Sequence, residues 1–154
     1  MKLDTDTYIG ILQATNAWNL VIDTQVWDDF DKVFTEDAIL DISAVRAHRD
    51  PADADKPVVA GSAGLPVARG LDEIKELMKR FVNGAVHYAC NLVLTGEKDG
   101  GVEAFSRNMA LNPTGLWSQT AFYDLAVETD SGWRIKHRVS QPEFRMVFQS
   151  FAIE

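Results

Sequence analysis

Cysteine is nearly absent: Cys90 stands alone, which excludes an internal disulfide framework and leaves a thiolate zinc site without partners. That usage fits a reducing compartment. No apolar stretch approaches the ~20 residues that a membrane-spanning helix requires. Positive charge is scarce too. Only 15 Lys and Arg stand against 23 Asp and Glu, a formal charge of -8 with no basic stripe, so phosphate backbones are repelled and nucleic acid is not an expected partner. The three histidines, His48, His87 and His137, form no His-x-His or His-x-x-x-His pair, and no metal is expected. A glycine-rich phosphate cradle is missing as well, so no cofactor is expected. The start, Met1 to Asp6, lacks the basic residues, apolar run and cleavage site of a secretory signal, and the expected location is cytoplasmic.

What is present is the balance of a globular chain. Hydrophobic residues make up 46% and charged residues 25% of 154, enough to bury one core, so a single domain over residues 1–154 is expected. From Thr5 to Asp23, Tyr8, Ile11, Leu12, Thr15, Trp18 and Ile22 recur at helical spacing, with Asp4, Thr5 and Asp6 as cap candidates. A second short helix is predicted over Val26 to Phe34, where Val26, Trp27, Phe30, Val33 and Phe34 share a face. A strand follows at Ala38 to Ile42. Residues 45–69 carry three prolines and two glycines, so no regular element is expected there. A loop this long inside a compact domain is either a lid or disordered. Leu71 to Val82 repeats Leu71, Ile74, Leu77, Met78 and Phe81 as a third amphipathic helix. Beyond Gly84 the period changes to two, and turn signals at 96–101, 112–115 and 129–132 divide the remainder into about four antiparallel strands. Helices first and strands afterwards predict an α+β fold, with helices packed on one face of a curved sheet. The apolar tail at residues 142–154 needs cover, over a pocket mouth or in a subunit interface.

Strand alternation through Ala85 to Leu94 puts Ala85, His87, Ala89 and Asn91 on one face. Small residues line that face, which leaves room for a cavity beside His87. The proton equilibrium of histidine lies closest to neutral pH, so His87 can take and return a proton if a carboxylate fixes its tautomer. Asp23, at the end of Asn19-Leu20-Val21-Ile22-Asp23, is the candidate partner. Each residue also has a structural reading: His87 as a satisfied strand histidine, and Asp23 as the N-cap of the second helix. Tyr8, Trp27, Phe105, Trp117, Phe122 and Tyr123 either line an aromatic-binding pocket or fill the core. Asn108 joins Tyr8, Trp27, Trp117, Phe122 and Asn91 as a candidate substrate contact. His48 and His137 are expected to be exposed. Strict alternation pairs Arg138 with Arg134, Lys136 and Ser140 on a solvated face, and a bulge would be needed to turn it inward.

The order Ile22-Asp23, Trp27-Asp28 and Phe34-Thr35-Glu36-Asp37-Ala38 resembles the opening of SnoaL-like domains, of the nuclear transport factor 2-like superfamily. The helix start from Gly70 to Ile74, the His87-x-x-x-Asn91 strand and Gly132-Trp133-Arg134-Ile135 match further along. The nearest likeness is to the branch of scytalone dehydratase, bile-acid 7α-dehydratase and hexachlorocyclohexane dehydrochlorinase. His87-Tyr88-Ala89-Cys90-Asn91-Leu92 is similar to the dehydrochlorinase strand that carries the catalytic histidine, and Val21-Ile22-Asp23 sits where its partner aspartate lies. Arg138 corresponds to an arginine that assists the leaving group. Trp18 and Ala85 stand where the dehydrochlorinase has lysine and cysteine, and Ile42 where scytalone dehydratase has a tyrosine.

The resemblance implies a cone-shaped α+β barrel, with three N-terminal helices on the concave face of a mainly antiparallel sheet. It implies an Asp23–His87 dyad, with Arg138 as third catalytic residue, in an enclosed pocket. The expected activity is a cofactor-independent elimination, of the dehydratase type, on a small apolar, cyclic or aromatic substrate. An isomerase or polyketide-cyclase chemistry on the same scaffold, and a non-catalytic binding or assembly role, are the alternatives. The expected partners are a small molecule and further copies of the chain, as a dimer or trimer, with neither nucleic acid nor membrane.

Overall fold

The computed structural model describes residues 4–43, 67–80, 84–113, 115 and 117–143. Helix α1 (Thr5–Thr24) starts at Asp4, whose carboxylate accepts from the Thr7 N–H at 3.0 Å. That contact satisfies one of the donors that every helix start leaves free. The helix ends at Gln25, which turns left-handed (φ 59°) and returns its N–H to the Val21 carbonyl at 2.8 Å. The expected second helix is shorter and tighter, a 3₁₀ helix at Trp27–Lys32. Phe34 does not belong to it but opens strand β1 (Phe34–Asp41). Helix α2 (Leu71–Lys79) follows Gly70, whose φ of 81° suits glycine and whose N–H donates to the Ala38 carbonyl at 2.7 Å.

Among the described residues six strands form one sheet in the order β2-β1-β6-β5-β4-β3. Strands β3 (Val86–Lys98), β4 (Gly101–Leu111), β5 (Trp117–Thr129) and β6 (Gly132–Glu143) make the expected antiparallel meander. Two pairings lie beyond it. Strand β1 runs parallel to β6, and β2 (Val67–Arg69) pairs antiparallel with β1. The stretch over 45–69 therefore does contain a regular element at its end; the rest of the lid-like segment and the tail from residue 144 lie outside the described residues. Strands β2 and β3 are the two edges, so the α+β architecture takes the form of a curved, unclosed sheet. Helix α1 lies against β3 and β6, and α2 against β1 and β2.

The larger apolar cluster joins Trp18, Phe30, Phe34, Leu40, Ile74 and Ile135, with Trp18 touching the rings of Phe30, Phe34 and Phe122. A smaller one joins Ile11, Val102, Ala104, Ala126 and Trp133. A band of buried polar side chains belongs to neither cluster. Among the described residues no helix is long and apolar enough to cross a membrane.

Candidate active site

Helical geometry places Thr15, Asn19 and Asp23 one above the other on α1, four residues apart. Thr15 and Asn19 are buried, and Asp23 closes the column at the exposed end. It lies inside α1, and the N-cap position of the 3₁₀ helix is Val26, so the capping role considered for Asp23 does not apply. Instead its carboxylate reaches β3, 64 residues away in sequence. Oδ1 lies 2.6 Å from Nδ1 of His87, and Oδ2 accepts the His87 backbone N–H at 3.0 Å.

Two contacts to one residue fix both the position of the strand and the rotation of the ring. A carboxylate can only accept, so Nδ1 carries the donated proton and Nε2 presents its lone pair. The negative charge of Asp23 sits at a helix C-terminus with no basic residue in the last turn, an unfavourable place for a lone anion. A positive imidazolium beside it relieves that charge. The side chains of His87 and Asp23 remain 17% and 23% exposed, so within the described residues the dyad is partly open to solvent, where an enclosed pocket was expected.

Arg138 is fully buried, contrary to strict alternation, and the reason is the bulge that the alternation argument required. Along the β5–β6 ladder Leu125 opposes His137 and Ala126 opposes Ile135, which leaves Lys136 as an extra residue. Trp133 and Ile135 point inward before it, Arg138 and Ser140 after it. Inside, Nε and Nη2 of Arg138 donate to the two carboxylate oxygens of Asp124 at 2.8 and 2.7 Å. The guanidinium carbon lies 4.1 Å from the ring centre of Phe122, 5.0 Å from Trp18 and 5.9 Å from Phe34. A bidentate carboxylate and three ring faces compensate the desolvated charge. Nη1 has no partner.

Among the described residues Nη1 is one of six such atoms. Oγ1 of Thr15, Oδ1 of Asn19 and Asn108, and Oγ of Ser106 and Ser140 are also buried without a hydrogen-bond partner. The strand register brings the sheet members of this set together: Ala89 opposes Asn108, and Phe122 opposes both Ser106 and Ser140. A cavity of about 110 Å³ lies between α1 and the β3–β4 pair, with Tyr8, Leu12, Thr15, Ala89 and Ser106 in its wall. It begins two residues beyond His87 on the same strand. Among the described residues no group of three His, Cys, Asp or Glu side chains forms a metal cage.

The remaining expected contacts divide. Tyr8 borders the cavity and is partly exposed, and Asn108 is buried on the concave face. Phe122 belongs to the core, as the plate under Arg138. Trp27 stacks on Phe30 at the core edge, 6.0 Å between ring centres. Asn91 borders the cavity beside Ala89 and Leu92, though not through the alternation that predicted it on the His87 face. Between Cys90, opposite Arg107, and Val93, opposite Phe105, β3 has one residue too many, and Asn91 occupies the bulge, exposed at φ 56°. Trp117 pairs with exposed Tyr88 at 6.0 Å on the convex face, on the opposite side of the sheet from His87; Phe105 and Tyr123 pair on that outer face too. Asp124, Thr15, Asn19, Ser106 and Ser140 were not anticipated. Asp124 shares its strand phase with Phe122, an acid in an inward row, and Thr15 and Asn19 stand at helical spacing from Asp23; both signals were available in the sequence.

The sequence pattern of the SnoaL-like domain matches residues 5–139. The chain belongs to the SnoaL-like domain family. No curated protein matches it. Among solved structures, a scytalone dehydratase-like protein from Novosphingobium aromaticivorans is 16% identical, over 92% of this chain and 89% of that one, with a TM-score of 0.63. A hexachlorocyclohexane dehydrochlorinase, LinA type 2, is 12% identical, over 89% and 85%, with a TM-score of 0.65. ActVI-ORFA from Streptomyces coelicolor is 16% identical, over 88% and 97%, with a TM-score of 0.65. At such identities the likeness is one of fold, and this SnoaL-like chain has to be read from its own side chains.

Proposed function

We propose that this SnoaL-like protein is a cofactor-independent lyase that eliminates water or a comparable leaving group from a small cyclic substrate. The observation that carries the reading is the two-point hold of Asp23 on His87, which presents Nε2 as a base. Nε2 takes a proton from a carbon next to an activating group. The electron pair of that C–H bond becomes the new double bond, and the leaving group departs with its own bonding pair. A departing hydroxide recovers the proton from the His87 imidazolium and leaves as water. Asp23 stabilises the imidazolium in between, and the unpartnered Nη1 of Arg138 is a donor for the charge that develops on the leaving group.

General-base catalysis of this kind contributes about 10²–10⁴-fold. A panel of cyclic β-hydroxyketones and cyclic halides, followed by loss of water or halide, tests the reading. The expected result is turnover by the native protein and a loss of that order in His87→Ala, with the fold intact by circular dichroism. Equal turnover by His87→Ala would overturn it. An isomerase or cyclase would use the same base and return the proton to another carbon, so product mass distinguishes the two: elimination removes the leaving group, isomerisation conserves it.

A further inference from the structure

An antiparallel sheet covered on one side only is apolar on the inward face and polar on the outward one, and here that pattern is reversed. On β4 the buried, inward Ser106 and Asn108 are polar, whereas Phe105, Met109 and Leu111, which alternate with them, are apolar. Cross-strand partners share a face, and the register continues the outward rows over the neighbouring strands. Val93, Phe105, Tyr123 and Val139 form one row, and Val86, Leu111 and Trp117 another. Between the two rows Tyr88 opposes Met109. Val86, Tyr88, Val93 and Tyr123 remain 46% to 52% exposed. Single apolar residues on a surface need no explanation, but a contiguous set of this kind marks a contact surface.

Charge identifies what covers it. The chain carries 23 Asp and Glu and a formal charge of -8, yet residues 86–93, 105–111 and 117–123, which build this face, include no acid. The outward charge within those segments is Arg107, whose guanidinium carbon lies 5.4 Å from the ring centre of Phe105, a cation–π contact. Two copies of so acidic a chain repel each other over most of their surfaces, and least at a face without acids. A face that meets itself across a two-fold axis must also be complementary to itself, and an apolar, aromatic face satisfies that condition. Four strands ~4.8 Å apart, with seven residues at ~3.4 Å along each, span roughly 19 by 24 Å. Two such faces in contact bury on the order of 1,000 Å², the size at which specific interfaces begin.

We propose that the convex face of β3, β4 and β5 is the interface of a homodimer, in which two copies stack sheet on sheet about a two-fold axis with Tyr88, Phe105, Trp117 and Tyr123 in the contact. His87 faces the other side of the sheet, so the inference is independent of the lyase reading. An interface of this modest size gives a dissociation constant on the order of micromolar.

Sedimentation velocity of the full chain over roughly 1–100 μM tests the proposal. The expected result is a shift from the 17.1 kDa of one chain to twice that mass as the concentration rises. Raising the salt should tighten the dimer, because it screens the repulsion between two acidic chains. Tyr123→Glu sets a carboxylate in the apolar contact of both copies and should weaken association at least tenfold. If that variant fails to fold by circular dichroism, Val93→Lys carries the same readout. Leu20→Glu, at a 62% exposed position on α1, should leave the dimer unchanged. A monomer over the whole range would leave the face to residues 144–154 or to another protein, and would overturn the proposal. A trimer, weaker association at high salt, or a dimer that survives a folded Tyr123→Glu or Val93→Lys would overturn it equally.

Discussion

Replacing Thr15 by Val should stabilise the protein in the absence of ligand. The two side chains are close in shape and in helix propensity, so the substitution deletes one hydroxyl and little else. That hydroxyl is 1% exposed in its residue, has no hydrogen-bond partner, and borders the cavity. Its removal returns the cost of an unsatisfied buried group, about 1–3 kcal/mol. For a domain of 154 residues, each kcal/mol raises Tm by roughly 2–4 °C, so the expected gain is about 2–12 °C in a reversible calorimetric scan. Urea unfolding should show a higher midpoint with an unchanged slope, because no additional surface is exposed. A midpoint that falls would show that the hydroxyl makes a hydrogen bond in the free protein and would overturn the prediction.

Asp124→Leu leaves the Arg138 guanidinium buried without its carboxylate, and the expected loss in urea unfolding is about 3–5 kcal/mol; the double variant Asp124→Leu/Arg138→Met should recover most of it. Two hydrogen bonds from Ser43, side chain first and backbone second, hold the Asp41 carboxyl below its usual range. A lowered folded pKa contributes stability that is complete above the unfolded value and is lost as the pH falls through the folded one. Ser43→Ala should therefore move the acid-unfolding midpoint to higher pH, and an unchanged midpoint would show that the side-chain contact is immaterial.

The parts of the site that follow local periodicity could be read from the chain. Asp23 closes a helical column, His87 sits in a small-residue row of a strand, and their pairing followed from chemistry together with the resemblance at Ile22-Asp23 and His87-x-x-x-Asn91. What could not be read depends on long-range register. Lys136 is an ordinary member of its strand until it is set against β5, where it becomes the extra residue that turns Arg138 inward. The same kind of insertion at Asn91, set against β4, breaks the alternation there, although the residue still borders the cavity. Trp117 was placed by its aromatic character, whereas its strand phase sends it to the convex side with Tyr88. The parallel pairing of β1 with β6 and the three-residue β2 have no signature of their own, because both depend on distant partners. The unpartnered polar set is invisible in sequence for a related reason: each member is an ordinary Thr, Ser or Asn, and only the absence of a neighbour marks it.

The most direct test of the dyad is the tautomer of His87, read from the ¹⁵N resonances of its ring in the native protein and in Asp23→Asn. In the native protein, in the neutral form, Nδ1 is expected to carry the proton and Nε2 to be bare, and this preference is expected to weaken in Asp23→Asn. A native His87 protonated at Nε2, or a ring indifferent to the loss of the carboxylate, would contradict the claim that Asp23 presents Nε2 as the base.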